Sequence, residues 1–320
     1  MNSTGNKLHA IENALPELRK LLSPCRLCHH ECKIDRLTNA KGFCRAGSKV
    51  AVYSYSPHSG EEPPLSGSRG SGTIFFTHCS MRCVYCQNYE FSQLSDFEEI
   101  EADELSRRMI ELQRLGCHNI NLVSPTHYTC QIVEAVEMAV SDSLQIPIVY
   151  NTGGFDSPAV IKLLDGIVDV YLPDMRYSDS SMGKRFSGVA DYAANNRKIV
   201  KEMFRQVGAL QLDDRGLAKR GVIVRLLVLP GEISGTIETL HYLKKELSTD
   251  IYISLMSQYH PAYKASDIPE ISRRPGEEEY IAITRAATDL GFRNGWIQGY
   301  RTDTHRFLGT RIKKGRFDWS

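Results

Sequence analysis

No stretch of this 320-residue chain approaches the roughly 20 consecutive apolar residues that a membrane-spanning helix needs. The opening residues, MNSTGNKLHAIENALPELRK, have no apolar core of signal-peptide length, which predicts a protein kept in the cytoplasm. An excess of either charge is missing as well. With 39 Lys and Arg against 38 Asp and Glu, no global field draws the chain to nucleic acid or to an anionic membrane, and partners of neither kind are expected. Nothing in the composition points to disorder: 42% hydrophobic and 24% charged residues are ordinary for a globular protein, and the length allows a full core. Cysteine, by contrast, is plentiful. Nine cysteines without a secretion signal point to metal or redox chemistry rather than to a disulfide framework.

The cysteines fall into two groups and a remainder. In GTIFFTHCSMRCVYCQNYEF, residues 72–91, Thr73 to Thr77 read as a buried strand, because β-branched and aromatic residues follow a Gly-Ser-Gly breaker. The loop after it presents Cys79, Cys83 and Cys86. Three thiolates on a short loop hold three irons of a cubane cluster and leave the fourth open, and an open position distinguishes a metal centre that does chemistry from one that braces a fold. A zinc loop with a distant fourth ligand is the plainer alternative. In CRLCHHECKIDRLTNAKGFCRAG, Cys25, Cys28, Cys32 and Cys44 suit a tetrahedral zinc site or a second iron–sulfur cluster, with His29 and His30 among them. Four protein ligands would favour a structural or electron-relay role there. Free thiols in a loop-rich segment are the competing reading. Cys117 and Cys130 stand apart and read as buried inert thiols.

Around these groups the chain divides. Residues 8–22 form an amphipathic helix that Pro16 is expected to interrupt. The Ser-, Gly- and Pro-rich stretch 53–72 reads as a linker or ordered loop, which gives a cysteine-rich module over 1–60, a main domain over 61–300 and a basic tail over 301–320. From Thr73 to about Leu290 six strand-plus-helix units follow one another, the α/β pattern of a parallel sheet with crossover helices. The strands are read at Thr73–Thr77, Asn119–Ser124, Ile146–Tyr150, Ile167–Leu172, Val222–Leu229 and Ile251–Met256, with a last one at Gly295–Gln298, and a long helical region spans Ala190–Val207. In such folds function gathers at the C-terminal strand ends. Those ends carry Ser124, Thr126 and His127, then Asn151 and Gly153-Gly154, then Asp174, Arg225, Gln258 and His260.

The spacing Cys79-x3-Cys83-x2-Cys86, with Tyr85 directly before the last cysteine, resembles the signature of the radical S-adenosylmethionine (SAM) superfamily. Residues 72 to about 300 resemble, within it, the glycyl-radical-enzyme activases and the pyruvate formate-lyase-activating-like proteins, and CRLCHHEC with GFCRAG resembles the N-terminal part of the same subgroup. The resemblance implies a partial (β/α)6 TIM-like barrel and a [4Fe-4S] cluster on Cys79, Cys83 and Cys86. It further implies reductive cleavage of SAM to a 5′-deoxyadenosyl radical, an electron donor such as flavodoxin or ferredoxin, and hydrogen abstraction from a protein or peptide substrate. The rival readings are a radical SAM enzyme acting on a small molecule, a zinc-dependent barrel enzyme, and a non-catalytic iron–sulfur electron-transfer protein.

The same resemblance suggests roles at the strand ends. Ser124 to Thr126 replace a common Gly-Gly-Glu, leaving Ser124, Thr126 or backbone carbonyls for the amino group of SAM. Asn151 would meet the ribose, its amide both donating and accepting, although a plain turn residue before Gly-Gly is the alternative. Asp174 matches the Asp-containing strand end of the activases, with Arg176 where Lys is usual there. Arg225 would meet the SAM carboxylate with its fork of donors; a buried ion pair with Asp174 is the competing explanation. His127 and His260 stand as donors of protons or hydrogen bonds, or as structural residues.

Overall fold

The computed structural model describes residues 3–94 and 97–300, so the expected tail over 301–320 lies outside the described residues. Helix α1 (Ser3–Lys20) precedes the first cysteine group. Strand β1 (Val50–His58), the single turn α2 (Pro63–Ser66) and β2 (Ser71–Phe76) lead to the second cysteine group. Then come β3 (Glu99–Ile100), α3 (Ala102–Arg114), β4 (Ile120–Val123), α4 (Thr129–Ser141), β5 (Ile148–Thr152), α5 (Pro158–Leu163) and β6 (Val170–Pro173). Helices α6 (Ser180–Ser187) and α7 (Tyr192–Val207) precede β7 (Gln211–Leu212) and β8 (Ala218–Leu227). The chain continues through α8 (Thr236–Glu246), β9 (Tyr252–Met256), α9 (Glu277–Asp289) and β10 (Gly295–Ile297).

These strands make a single sheet in the order β10-β9-β8-β6-β5-β4-β2-β1-β3. Every pairing from β10 to β2 is parallel, and β1 and β3 close the far side antiparallel. The six expected strand-plus-helix units are present, from β2–α3 to β9–α9, so the chain is an α/β protein built as a partial (β/α)6 barrel.

Strand alternation explains how the site is built. Side chains on a strand point alternately to the two faces. Ile148, Tyr150, Tyr171, Val222 and Val224 pack outward into the core beneath the helices. Their neighbours Val149, Val170, Leu172 and Ile223 turn inward, where they meet Leu65, Tyr252 and Trp296 and plug the lower barrel. One step further along the same inward rows come Asn151 on β5 and Arg225 on β8, polar residues where the plug gives way to a cavity. All Gly-to-Pro punctuation aside, this period of two is what aims them.

Three local expectations are corrected. Pro16 lies inside a continuous α1. Ile11, Leu15 and Leu18 of that helix are buried against α4 and α5, and this packing outweighs the hydrogen bond that proline removes. The stretch 53–72, read as a linker or ordered loop, carries most of β1, whose Tyr55 and Pro57 pair with Ile74 and Gly72; proline is tolerated because the strand lies near the sheet edge. The helical region over 190–207 begins only at Tyr192, since Gly188 and Asp191 both adopt left-handed backbone between α6 and α7.

Candidate active site

Cys79, Cys83 and Cys86 follow β2 on a loop that three other segments pin in place. Arg82 N donates to Ser187 O and Val84 N to Phe186 O, each at 2.9 Å, so the end of α6 braces the loop. Lys264 N donates to Val84 O at 2.9 Å, and Gln93 Nε2 to Cys83 O at 3.0 Å. The three thiols lie within electrostatic reach of one another, and burial pushes Cys79 up to about 12. A polar group lies against each sulfur: Met81 N donates to Cys79 Sγ at 3.4 Å, Ser187 Oγ lies 3.0 Å from Cys83 Sγ, and Ser92 Oγ 3.4 Å from Cys86 Sγ. Burial raises Cys83 as well, and the Arg176 guanidinium opposes the rise at both Cys79 and Cys83. None of the three sulfurs is in a disulfide. Among the described residues no three of His, Cys, Asp and Glu crowd closely enough to ligate one ion. Three thiols on one braced loop, a polar group against each sulfur and a nearby guanidinium fit a cluster held there.

Tyr85 earns its place by a hydrogen-bond chain that sequence gave no hint of. Its hydroxyl lies 2.5 Å from that of Tyr177, which lies 2.7 Å from Ser187 Oγ, the same hydroxyl that meets Cys83. All three hydroxyl-bearing residues are buried.

Beside this loop a cavity of about 610 Å³ opens at the C-terminal strand ends. Cys86, Asn151, Asp174, Arg176 and Arg225 line it together, although they come from four separate strand ends. Arg225 Nε donates to Asp174 Oδ1 at 2.9 Å and Arg176 Nη2 to Asp174 Oδ2 at 2.5 Å, so one carboxylate holds two guanidinium groups. The buried ion pair weighed for Arg225 and Asp174 is therefore present. Both guanidiniums still face the cavity. Asn196 Nδ2 fixes this turn by donating to Asp174 O at 2.9 Å and to Gly154 O at 3.0 Å.

Ser124 and Thr126 are placed differently. Neither lines the cavity. Ser124 sits in left-handed backbone at φ 60° and donates its N–H to Asn151 O at 2.9 Å. The Thr126 hydroxyl donates to buried Asp156 at 2.7 Å, which also accepts from Tyr150 at 2.9 Å and Thr152 at 2.6 Å. His127 is buried against Thr77 O at 2.8 Å, and burial lowers it to about 3, a neutral structural histidine. His260 lines the cavity 3.3 Å from Gln87 Nε2.

Two carboxylates escaped the sequence reading. Glu61 and Glu62, in the stretch taken as a linker, are buried at the barrel mouth. Glu61 Oε2 lies 3.7 Å from Arg225 Nη1. Neither carboxylate oxygen of Glu62 makes a well-formed hydrogen bond, and the Ser254 hydroxyl beside it is the one side-chain donor close enough to offer a weak one. Burial, opposed by Arg225, raises Glu62 to about 7. The only signal available was two acids ahead of Pro63-Pro64.

The first cysteine group is bound onto the barrel. Cys28 bridges to Asp156, and His30 Nε2 lies 2.8 Å from Ser80 O. Cys25, Cys28, Cys32 and Cys44 feel one another's charge. A Cβ on Gly42 would come within 2.8 Å of Cys32 Sγ, so glycine is required where the chain passes that sulfur.

A sequence profile of the Radical SAM superfamily matches residues 73–243. The chain belongs to that superfamily: it is an enzyme that uses a [4Fe-4S] cluster and S-adenosylmethionine, and it depends on an external electron donor. It is 30% identical over 274 residues to the uncharacterized protein MJ0674 of Methanocaldococcus jannaschii, covering 82% of this chain and 73% of that one. Among solved structures it is similar to methylornithine synthase, with 16% identity, 69% of this chain, 61% of that one and a TM-score of 0.46. It is also similar to SuiB of Streptococcus suis bound to S-adenosylmethionine, with 14% identity, 69% and 48% coverage and a TM-score of 0.49. The chain thus spans less than two thirds of either solved chain. Among the described residues no helix is long and apolar enough to cross a membrane.

Proposed function

We propose that this radical SAM enzyme acts, in the manner of the glycyl-radical-enzyme activases, on a protein or peptide segment presented at the mouth of the 610 Å³ cavity. When bound, the cluster on Cys79, Cys83 and Cys86 supplies the electron that splits SAM into methionine and a 5′-deoxyadenosyl radical. The chain's own residues bind and orient. Arg225, steadied by Asp174, presents charge-assisted donors to the SAM carboxylate, with Arg176 beside it. Asn151 offers its amide to the ribose. Backbone carbonyls at the end of β4, where Val123 lines the cavity, are left to meet the amino group, and Ser124 and Thr126 support that turn, Thr126 through Asp156. The barrel over 61–300 carries this site, and Cys25, Cys28, Cys32 and Cys44 of the module over 1–60 are the candidate ligands of a second zinc or iron–sulfur centre, which would have to draw them together, since no three of them converge on one point here.

The observation that carries the substrate reading is the amide content of the cavity lining. Gln87, Asn88 and Gln258 line it, and buried Gln298 donates to Gln258 Oε1 at 3.2 Å. Side-chain amides donate and accept at once, the complement of a peptide's N–H and C=O groups. A cavity of this size encloses one drug-sized molecule. SAM is itself a molecule of that size, so a larger substrate would bring only its reacting group to the cavity mouth.

The test is anaerobic. The reconstituted protein is given SAM, dithionite and a peptide carrying deuterium at a glycine Cα. Deuterium in the 5′-deoxyadenosine, lost with Cys83→Ala, is the expected result. Cleavage of SAM that never draws deuterium from any peptide would overturn the substrate class, and full cleavage by Cys83→Ala would overturn the cluster assignment.

A further inference from the structure

The geometry points to a docking port for a small acidic one-electron carrier protein at a second cavity, formed by Phe43, Cys44, Arg45, Cys79, Arg82 and Lys264. This inference rests on the reading that Cys79 belongs to a redox centre, and it adds where electrons arrive and what recognises their donor.

The cavity measures about 290 Å³ and is lined by one cysteine from each group, Cys44 and Cys79. No other described cavity touches both. It lies apart from the 610 Å³ cavity, so a carrier docked here leaves the substrate mouth open. Its lining holds three cations and no carboxylate, on a chain whose net charge is only +1. Some surface cations elsewhere are paired, as in Arg107 with Asp103 and Glu104, Arg205 with Asp165 and Glu202, and Arg273 with Glu279, while others stand singly. Here three gather on one cavity, and among the described residues none of them makes an ion pair. Arg45 donates to the Gln93 carbonyl. Arg82 donates to Phe43 O at 2.8 Å and lies 4.4 Å from the Phe43 ring centroid. The Lys264 ammonium lies 5.1 Å from the Tyr263 ring centroid. Carbonyls and rings position these groups without neutralising them, so the charge remains for a partner.

His30 Nε2 lies 2.8 Å from Ser80 O, and its ring sits against Phe43, tilted by 31° with centroids 4.0 Å apart, which ties the two cysteine segments together beside the port. Two aromatic rings among cations form a contact surface of the kind protein interfaces use, with charge steering the approach. A nucleic acid is the poorer occupant: three cations are few against the 6–10 phosphate contacts of a typical binder, and it has no electron to give. At this port the carrier, a reduced flavin or iron–sulfur protein, loses one electron and the centre at Cys79 gains it, with no bond made or broken.

The experiment uses purified flavodoxin. Its affinity is measured for wild type, Lys264→Glu, Arg82→Gln and the control Lys244→Glu, on another face, with metal-free protein and low salt. 5′-Deoxyadenosine formation is then compared with reduced flavodoxin and with dithionite, which needs no docking. Lys264→Glu should bind flavodoxin roughly fivefold to tenfold more weakly, as reversing one close charge implies, and lose flavodoxin-driven cleavage in proportion. Dithionite-driven cleavage and the control should not change. Flavodoxin affinity unaltered in both Lys264→Glu and Arg82→Gln would overturn the port, and so would displacement of flavodoxin by duplex DNA. A wild type that binds flavodoxin but yields no product even with dithionite would instead overturn the functional reading beneath it.

Discussion

Arg225 on β8 and Asp174 at the end of β6 meet through a 2.9 Å hydrogen bond, and Glu61 stands 3.7 Å from the other side of the same guanidinium. One arginine thus balances carboxylates from two distant parts of the chain while still facing the cavity. Its removal strands buried charge. Arg225→Met should lower stability by about 3 kcal/mol or more, the usual penalty for breaking a buried pair. Arg225→Lys keeps the charge but loses the fork; it should stay folded and bind SAM about tenfold more weakly. Chemical denaturation and equilibrium dialysis separate the two effects, and a Lys variant with wild-type SAM affinity would remove Arg225 from the SAM site.

Glu62 gives a stability profile that rises toward acid. Its folded pKa, about 7, is above the ordinary carboxyl value of 4.5, so the folded state holds the proton more tightly. The cost of ionising it is absent below pH 4.5 and grows as pH rises to 7, reaching about 3 kcal/mol. Glu62→Gln should therefore melt above wild type at pH 8 and match it at pH 4.5. A difference independent of pH would show that Glu62 is not neutral when buried.

Ser187 offers its hydroxyl to the Cys83 sulfur at 3.0 Å. Hydrogen bonds to cluster sulfurs stabilise the more negative, reduced state and are one lever on potential. In Ser187→Ala the midpoint of the reconstituted cluster should shift to more negative values with iron content unchanged. A redox titration followed by electron paramagnetic resonance reads this directly.

Gly154 has φ +80°, and a Cβ there would come within 2.2 Å of Asn196 Nδ2 and 2.4 Å of Asp174 O. Gly154→Ala should cost at least about 2 kcal/mol, combining the left-handed strain with the clash. It should also weaken SAM binding, because the turn that carries Asp174 must shift. Gly208→Ala is the control, with similar φ but no atom within 4 Å of the new Cβ. Equal losses in the two variants would mean that backbone strain alone accounts for the effect.

Local patterns determined much of this protein from the sequence alone. The period of two along each strand, the helices between strands and the short spacing Cys79-Cys83-Cys86 are all properties of neighbouring residues. They were enough for six β/α units, a functional edge at the strand ends and a three-thiol loop. Asn151, Asp174 and Arg225 were legible for the same reason, as polar side chains interrupting apolar strands at their C-terminal ends. Tertiary structure alone decided which distant residues meet. Glu61 and Glu62 look like linker acids until the antiparallel β1 turns them into the barrel mouth. Ser187 and Tyr177 carry no local signal for Cys83, being 104 residues and 10 residues from their partners in the hydrogen-bond chain. That Cys44 and Cys79 line one cavity follows from the packing of one loop on another, which no periodicity encodes. Burial gives those contacts their chemistry, because a carboxyl, a thiol or a guanidinium withdrawn from water takes its properties from whatever lies beside it.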